Sequence, residues 1–231
     1  MNHHYTTRNL PVSENNSAIK ITMISIIAII VIAVIAIFFI RPMYIEKELP
    51  KPVVINTTGQ PTIGNPNAKI HLVAFEDLKC SNCARFNVEL MPYIKKDLIE
   101  KNVATYTLIN LAFIEGSMPA ANAAHCVYQQ SAKLFFEYTD YIFHHQPPET
   151  ENWATVPNLL NYANDVKGIN TTQLSQCLVQ SPYDQFMHNN LLQAIKIMPN
   201  GIVQTPTLYI NGVIVQPLTR KQIERVIEAV K

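Results

Sequence analysis

The stretch FEDLKCSNC, residues 75–83, joins an apolar run that ends at Phe75 to a helix-like segment that begins after Cys83. Two cysteines three positions apart therefore stand where a strand turns into a helix. At a helix start, side chains at i and i+3 share one face about 5 Å apart, within the Cα range of a disulfide. The positive end of the helix dipole also favours a thiolate at Cys80. This arrangement predicts thiol–disulfide chemistry at the two cysteines.

The segments around this stretch predict an α/β domain. Runs rich in β-branched and aromatic residues predict strands at 69–76, 103–113, 207–210 and 213–216, the last two joined by the hairpin signal Asn211-Gly212. Helical patterns bounded by Pro, Gly and Ser predict helices at 84–101, 119–143, 152–164, 171–180, 183–197 and 219–231. The expected order is strand, helix, strand, helical block, hairpin and final helix.

The N-terminal part of the chain predicts a membrane anchor. Residues 21–40 are almost entirely Ile, Val, Ala and Phe, and about 20 apolar residues match a bilayer core. A cleaved signal peptide or a buried core helix is the alternative, but a signal core is usually about 7 to 15 residues. Residues 1–20 are expected to be a disordered tail and the Pro-rich residues 41–61 a linker. One domain is expected over 62–231, with its helical insertion at about 115–200.

Charge and redox chemistry suggest where this domain resides. The formal net charge of +1 gives no reason to expect a nucleic-acid partner. Basic residues on the two sides of the apolar run do not decide its orientation, but disulfide chemistry persists in oxidising compartments. The prediction is therefore a single-pass protein of the bacterial cytoplasmic membrane, with its catalytic domain in the periplasm or another extracytoplasmic space.

Several motifs, in this order, resemble the DsbA-like thiol–disulfide oxidoreductases of the thioredoxin superfamily. They are residues 75–83, the helical block, the sequence QTPT at 204–207 and the sequence YING at 209–212. The resemblance implies a thioredoxin fold with a helical insertion between its βαβ unit and its C-terminal hairpin and helix. It also implies that Cys80 is the nucleophile and Cys83 the buried resolving thiol. The redox-active disulfide would then serve without a cofactor.

The resemblance further implies a cis peptide bond between Thr205 and Pro206. The Thr205 backbone would then lie beside the cysteine pair, where an extended substrate chain can pair with it. Without the resemblance, Pro206 would be taken as an ordinary trans proline at the start of a strand, because few X-Pro bonds are cis.

Two departures from the family affect the chemistry. Many relatives bury an acidic residue six positions before the nucleophile, where this chain has Ala74; Glu76 lies on the same face of the strand and is a candidate proton relay. The alternative is a solvated or salt-bridged carboxylate. The dipeptide between the cysteines, Ser-Asn, differs from the Pro-His of the best-known relative. Since Lys79 would lower the thiol pKa while Glu76 and Asp77 would raise it, the redox potential stays open.

The other two cysteines, Cys126 and Cys177, lie on predicted helices of the insertion. Related sequences often carry cysteines there, which suggests a structural disulfide; the alternative is two buried free thiols. A zinc site built from Cys80, Cys83, Cys126 and His125 is an alternative. Because the chain has no second CxxC or HxxxH half-site, no metal is expected.

Three functions are compatible with these residues. The first is an oxidase that introduces disulfides into unfolded or exported cysteine-containing proteins and is reoxidised by a membrane partner of the DsbB or VKOR-like kind. The second is a membrane-tethered reductase or isomerase, which uses the same residues in the opposite direction. The third is a non-catalytic module that binds extended peptides. The large helical block favours the first, because tethered thioredoxin-like reductases generally lack it.

Overall fold

The computed structural model describes residues 16–44 and 48–231. Helix α1, Asn16–Tyr44, belongs to a separate N-terminal unit. It contains a predominantly apolar stretch of 18 residues, Lys20–Ile37, that is long and apolar enough to cross a membrane by length and composition. Most of the tail predicted at 1–20 lies outside the described residues, but 16–20 are helical rather than disordered, because the apolar helix extends past its predicted N-terminus.

The second unit, Leu49–Lys231, is built on a five-stranded sheet in the order β1-β3-β2-β4-β5. The strands are β1 Thr62–Gly64, β2 Ile70–Asp77, β3 Ala104–Leu111, β4 Thr207–Ile210 and β5 Val213–Ile214. Strands β2 and β3 are parallel, and the other neighbours are antiparallel. The predicted strand–helix–strand unit and hairpin are therefore present, with the cysteine strand β2 at the centre of the sheet.

Helices follow the cysteine strand, fill the long connection before the hairpin and end the chain after it. They are α2 Ser81–Glu89, α3 Met91–Tyr93 with a π-helical continuation Ile94–Ile99, α4 Met118–Tyr128, α5 Ala132–His145, α6 Val156–Asp165, α7 Thr171–Gln180, α8 Asp184–Ile197 and α9 Arg220–Val230. The single helix predicted at 119–143 is two helices. Ser131 is extended and its hydroxyl accepts a hydrogen bond from the Leu134 amide at 3.3 Å, so it caps a new helix instead of continuing the old one.

The alternation of side chains in β2 divides the core into two clusters. Leu72 and Ala74 face the larger cluster, which includes residues of α2, α4, α5 and α9. Val73 and Phe75 face the smaller cluster, with Ala194 at the end of α8. The sheet is thus covered on both faces. Every second side chain of β2, as at Leu72 and Ala74, points toward the face that α2 covers.

The compact unit begins earlier than the boundary predicted at residue 62. Leu49 packs against the larger cluster, and Val53 packs against the smaller one. The Val53 amide donates to the Gly212 carbonyl at 2.9 Å, and a side chain on Gly212, whose φ is +83°, would collide with the Val53 backbone. Residues 49–61 are therefore part of the folded unit: Leu49, Val53 and Ile55 are half-buried against the core, while Val54 between them is 93% exposed.

Candidate active site

The turn between β2 and α2 places Cys80 at the N-cap of the helix. The Cys80 amide donates to the Asp77 carbonyl at 3.0 Å, and the Cys80 carbonyl accepts from Ala84 at 3.1 Å. The Asp77 carboxylate receives four hydrogen bonds, from Lys79 N, Phe113 N, Ile114 N and Ser117 Oγ at 2.8–3.1 Å. Asp77 thus joins the cysteine turn to the loop after β3, a role that sequence analysis missed because its partners are distant in sequence.

The cis-proline loop lies directly against the first cysteine. The peptide bond between Thr205 and Pro206 is cis, and Cys80 Sγ lies 3.5 Å from the Thr205 carbonyl, to which it donates when it is protonated. The structure therefore brings together the residues that the resemblance paired. An open groove of about 460 Å³ runs along this contact, lined by Cys80, Asn82, Phe113, Ile114, Glu149, Gln204, Thr205 and Pro206.

The two thiols of the pair have opposite electrostatic environments. A hydrogen bond from the Cys83 thiol, with further hydrogen bonds from Thr205 and the amides of Cys83 and Asn82, lowers the pKa of Cys80 to about 6 against the opposing effect of burial. Burial, followed by the hydrogen bond to Cys80 and the charge of Glu76, raises the pKa of Cys83 well above its usual range. At neutral pH, Cys80 is the thiolate and Cys83 the thiol.

Glu76 lies behind the cysteine pair and is fully buried, so the solvated alternative is wrong. Its carboxylate accepts hydrogen bonds from Tyr106 Oη and Asn87 Nδ2, both at 2.6 Å. Burial raises the pKa of Glu76 to about 7, although the two hydrogen bonds act in the opposite direction. Asn87 also donates to the Cys83 carbonyl at 3.0 Å, which links the acid to the second cysteine. A group with this pKa can hold or release a proton near neutral pH.

Lys79 stands directly before Cys80 in the turn. Its buried side chain reaches the loop after β3, where the ammonium donates to the Glu115 carbonyl at 2.9 Å. Gly116 lies beside this ammonium: a Cβ there would be in ordinary contact with it at 3.5 Å, and the φ of +74° is what favours glycine. The contribution of Lys79 that the structure shows is therefore to join the cysteine turn to the loop after β3.

The connection between α5 and α6 holds the start of α2. In the amide orientation that pairs both of its polar atoms, Gln146 donates to the carbonyls of Lys79 at 3.0 Å and Leu78 at 3.1 Å. Glu149 Oε2 accepts from the Ser81 amide at 3.0 Å. Sequence analysis did not identify either residue, since nothing in the local pattern indicates which helix a distant loop contacts.

The second cysteine pair is a disulfide. Cys126 on α4 and Cys177 on α7 are joined at an S–S distance of 2.01 Å, with their Cα atoms 6.0 Å apart. The neighbouring His125 is buried among aromatic rings, and burial lowers its pKa to about 4. Because Cys126 is bonded to Cys177, it cannot be a ligand in the alternative zinc site with Cys80, Cys83 and His125. Within residues 16–44 and 48–231, no group of His, Cys, Asp and Glu is arranged to hold a metal.

Comparison with known proteins agrees with this geometry. A family model described as Thioredoxin matches residues 56–229. The crystal structure of Chlamydia trachomatis DsbA is 32% identical, with a TM-score of 0.70, and the match covers 78% of this chain and 96% of that one. Oxidised BdbD from Bacillus subtilis is 27% identical, also with a TM-score of 0.70, over 79% and 96%.

A curated relative carries a name that describes its activity. Disulfide bond formation protein D of Bacillus subtilis is 29% identical over 161 residues, which are 68% of this chain and 70% of that protein. Together with the two structures, this match confirms the predicted thioredoxin-like fold with its helical insertion and the DsbA-like resemblance.

Proposed function

The chain belongs to the thioredoxin family whose model it matches, and from this premise we propose how its cysteines act. It is a DsbA-like thiol–disulfide oxidoreductase that forms disulfide bonds. Our proposal is that Cys80 and Cys83 carry this activity, with Cys80 as the exchanging cysteine. The observation that supports it best is the asymmetry of the pair: Cys80 faces the groove with a pKa of about 6, and Cys83 is buried with a raised pKa.

Oxidation of a substrate proceeds in two exchange steps. A substrate thiolate attacks Cys80 Sγ of the Cys80–Cys83 disulfide, a mixed disulfide forms, and Cys83 leaves as a thiolate. A second substrate thiolate then attacks the substrate sulfur of the mixed disulfide and releases Cys80 as a thiolate. The low pKa of Cys80 makes it a good leaving group in this step and stabilises the reduced enzyme, which favours transfer of the disulfide to the substrate.

We assign Glu76 as the proton relay for Cys83. The Cys83 thiolate released in the first step is buried, and its high pKa means that it must gain a proton. Glu76, with a pKa of about 7, is protonated in part of the population at neutral pH and can give that proton; in the reverse direction its carboxylate accepts the proton. Tyr106 and Asn87 hold the carboxyl group in place from two sides.

The groove beside Thr205 is our proposed substrate site. Thr205 and Pro206 form a bend that leads into β4, and a cysteine-containing peptide laid along them would bring its sulfur to Cys80, whose Sγ is 3.5 Å from the Thr205 carbonyl. The substrates are proteins with reduced cysteine pairs. No cofactor is needed for the exchange itself, because the Cys80–Cys83 disulfide accepts the two electrons that the substrate dithiol gives up.

The remaining assignments concern the cell. We propose that α1 anchors the protein in the cytoplasmic membrane by a single pass, with the unit Leu49–Lys231 catalytic on the extracytoplasmic side; the apolar stretch Lys20–Ile37 supports the anchor. Each turnover leaves the pair reduced by two electrons. A redox partner must remove them, and for a membrane-tethered enzyme we propose a membrane oxidase of the DsbB or VKOR-like kind.

The test is the reduction potential of the pair in the full-length chain in detergent, equilibrated with glutathione and measured by thiol trapping with Cys126 and Cys177 mapped separately. A potential near about −180 mV or higher supports disulfide donation. A value near about −270 mV would support the reductase alternative instead. A pair that resists reduction altogether would indicate the non-catalytic peptide-binding module.

A further inference from the structure

The first amides of α2 are divided between two negatively charged groups. At a helix N-terminus the first amides have no partner within the helix, and they favour anions. The Asn82 and Cys83 amides are directed to the Cys80 sulfur and contribute to its low pKa. The Ser81 amide, which is the first of the helix, donates instead to Glu149 Oε2 at 3.0 Å. The Glu149 carboxylate therefore binds one of the free amides at the start of α2, and the Cys80 thiolate is not the only negative charge at this helix terminus.

Glu149 is held at this place by the chain around it. Pro147 and Pro148 stiffen the segment before it, and Gln146 ties the end of α5 to the carbonyls of Lys79 and Leu78. The Glu149 side chain is exposed, and it lines the same groove as Cys80. Its charge is thus held beside the groove by a hydrogen bond that goes to a backbone amide and to neither sulfur.

We propose that Glu149 is a positioning residue whose charge opposes the Cys80 thiolate and makes the pair a weaker oxidant than helix α2 would make it alone. The inference rests on the proposed role of Cys80. The disulfide form has no charge at Cys80, so Glu149 leaves its energy unchanged, whereas the thiolate of the reduced form is repelled. Glu149 therefore shifts the equilibrium toward the disulfide.

Other groups near the sulfur act from different elements. Glu76 is charged in part at neutral pH and acts from β2, Cys83 donates from the next turn of α2, and Thr205 contacts the sulfur from the cis-proline loop. The Lys79 ammonium is engaged by the Glu115 carbonyl. All four stay the same when Glu149 alone is changed, so a single substitution isolates its effect.

The experiment compares Glu149→Gln with the wild-type chain, full length in detergent. Glutamine keeps an oxygen that can accept from the Ser81 amide but has no charge. We expect the equilibrium constant with glutathione to move about three- to tenfold toward the reduced enzyme, which is about 15 to 30 mV more oxidising. The thiolate absorbance should titrate at a pH lower by about half a unit to one unit. Glu151→Gln, the same substitution at an exposed site two residues further on, is the control and should change neither value.

Salt separates a charge effect from a structural one. Because Glu149 is exposed, about 1 M salt should screen its charge, and the difference between Glu149→Gln and wild type should shrink. Equal potentials and titrations in the two proteins at low salt, or an unscreened difference, would overturn the inference while leaving the proposed function intact. A wild-type pair that neither titrates nor equilibrates with glutathione would instead overturn the proposed function.

Discussion

The chain contains two cysteine pairs whose surroundings differ in almost every respect. Cys80 and Cys83 lie three residues apart at a helix N-terminus, both are free thiols, and a buried acid stands behind them. Cys126 and Cys177 are separated by 51 residues, join two helices of the insertion and form a disulfide. The same side chain thus serves exchange in one place and cross-linking in the other, and what differs is the environment of the sulfur.

The environment acts through the pKa of the thiol and through chain entropy. At the first pair, hydrogen bonds stabilise the Cys80 thiolate, so the reduced form is favoured and the disulfide is easily given away. At the second pair, the bond closes a long loop, which constrains the unfolded chain and stabilises the fold. The comparison teaches that a short loop at a helix terminus makes a reactive pair, while a long loop between packed helices makes a structural one.

The largest expected effect separates the two cysteines of the reactive pair. Cys80→Ser should reduce exchange with a reduced, unfolded protein substrate to the background rate, because the attacked sulfur is lost. Cys83→Ser keeps Cys80 but removes the resolving thiol, so mixed disulfides with substrate proteins should accumulate and be visible on non-reducing gels. Circular dichroism controls for folding. An undiminished rate in Cys80→Ser would show that Cys80 is not the exchanging cysteine, and the contrast between a reactive and a structural pair would then be wrong.

The next effect concerns stability alone. Replacing both Cys126 and Cys177 by Ala should lower the free energy of unfolding by about 4 kcal/mol, the chain-entropy value for a loop of this length. Urea unfolding measures the loss. Exchange at Cys80 should continue at its usual rate below the new melting transition, because the bridge lies outside the groove. Loss of exchange in a folded double variant would show that the second pair is more than a cross-link.

Much of this comparison could be predicted from the sequence, because it depends on local pattern. The CxxC at a strand–helix junction, the Asn-Gly hairpin and the amphipathic last helix are local signals, and all three lie where they were expected. The short strand β1 and the helix break at Ser131 were missed. Three residues give too weak a pattern for a strand, and one capping serine in a helical sequence is easily overlooked.

The surroundings of the site depend on packing, which no local pattern reveals. The face of Glu76 followed from strand alternation, but its burial and its partners Tyr106 and Asn87 come from a neighbouring strand and helix. The folding of residues 49–61 onto the domain, and the contact of Glu149 with α2, likewise depend on tertiary structure. A second cis bond, between Gln216 and Pro217, had no signal in the sequence that we recognised.

A smaller effect than the loss of a cysteine is expected from Glu76→Gln. The pKa of Glu76 is raised from 4.5 to about 7 in the folded state, so the unfolded chain loses its proton first, and the wild type is destabilised as pH rises through this window. By about pH 8 the free energy of unfolding of the wild type is lowered by about 3 kcal/mol in this way. Glutamine has no proton to lose, so the variant does not show this decrease. The variant should therefore be more stable than wild type at pH 8 and similar at pH 4, by urea unfolding.

Although Glu76→Gln should stabilise the fold at pH 8, it should slow the exchange reaction. Without a group that exchanges a proton with Cys83, the exchange rate near neutral pH should fall about ten- to a hundredfold. An unchanged rate, measured by stopped-flow mixing with a reduced peptide, would show that water serves Cys83 directly. If the rate is unchanged but the stability changes as expected, Glu76 affects the free energy of unfolding and has no role in exchange at Cys80 and Cys83.

The smallest effect tests how finely the acid is tuned. Tyr106 Oη donates to the Glu76 carboxylate at 2.6 Å, which opposes the effect of burial on the pKa of Glu76. Tyr106→Phe removes this donor and keeps the ring, so the pKa of Glu76 should rise further, by about one unit. The midpoint of the pH–rate profile for exchange should move up by the same amount. Tyr138→Phe removes another buried hydroxyl, which donates to the Leu159 carbonyl at 2.8 Å in the insertion, and should leave the midpoint in place. If both variants shift it equally, the change reflects general loosening of the core; if only Tyr106→Phe does, the hydrogen bond itself sets the pH at which Cys83 can gain or lose its proton.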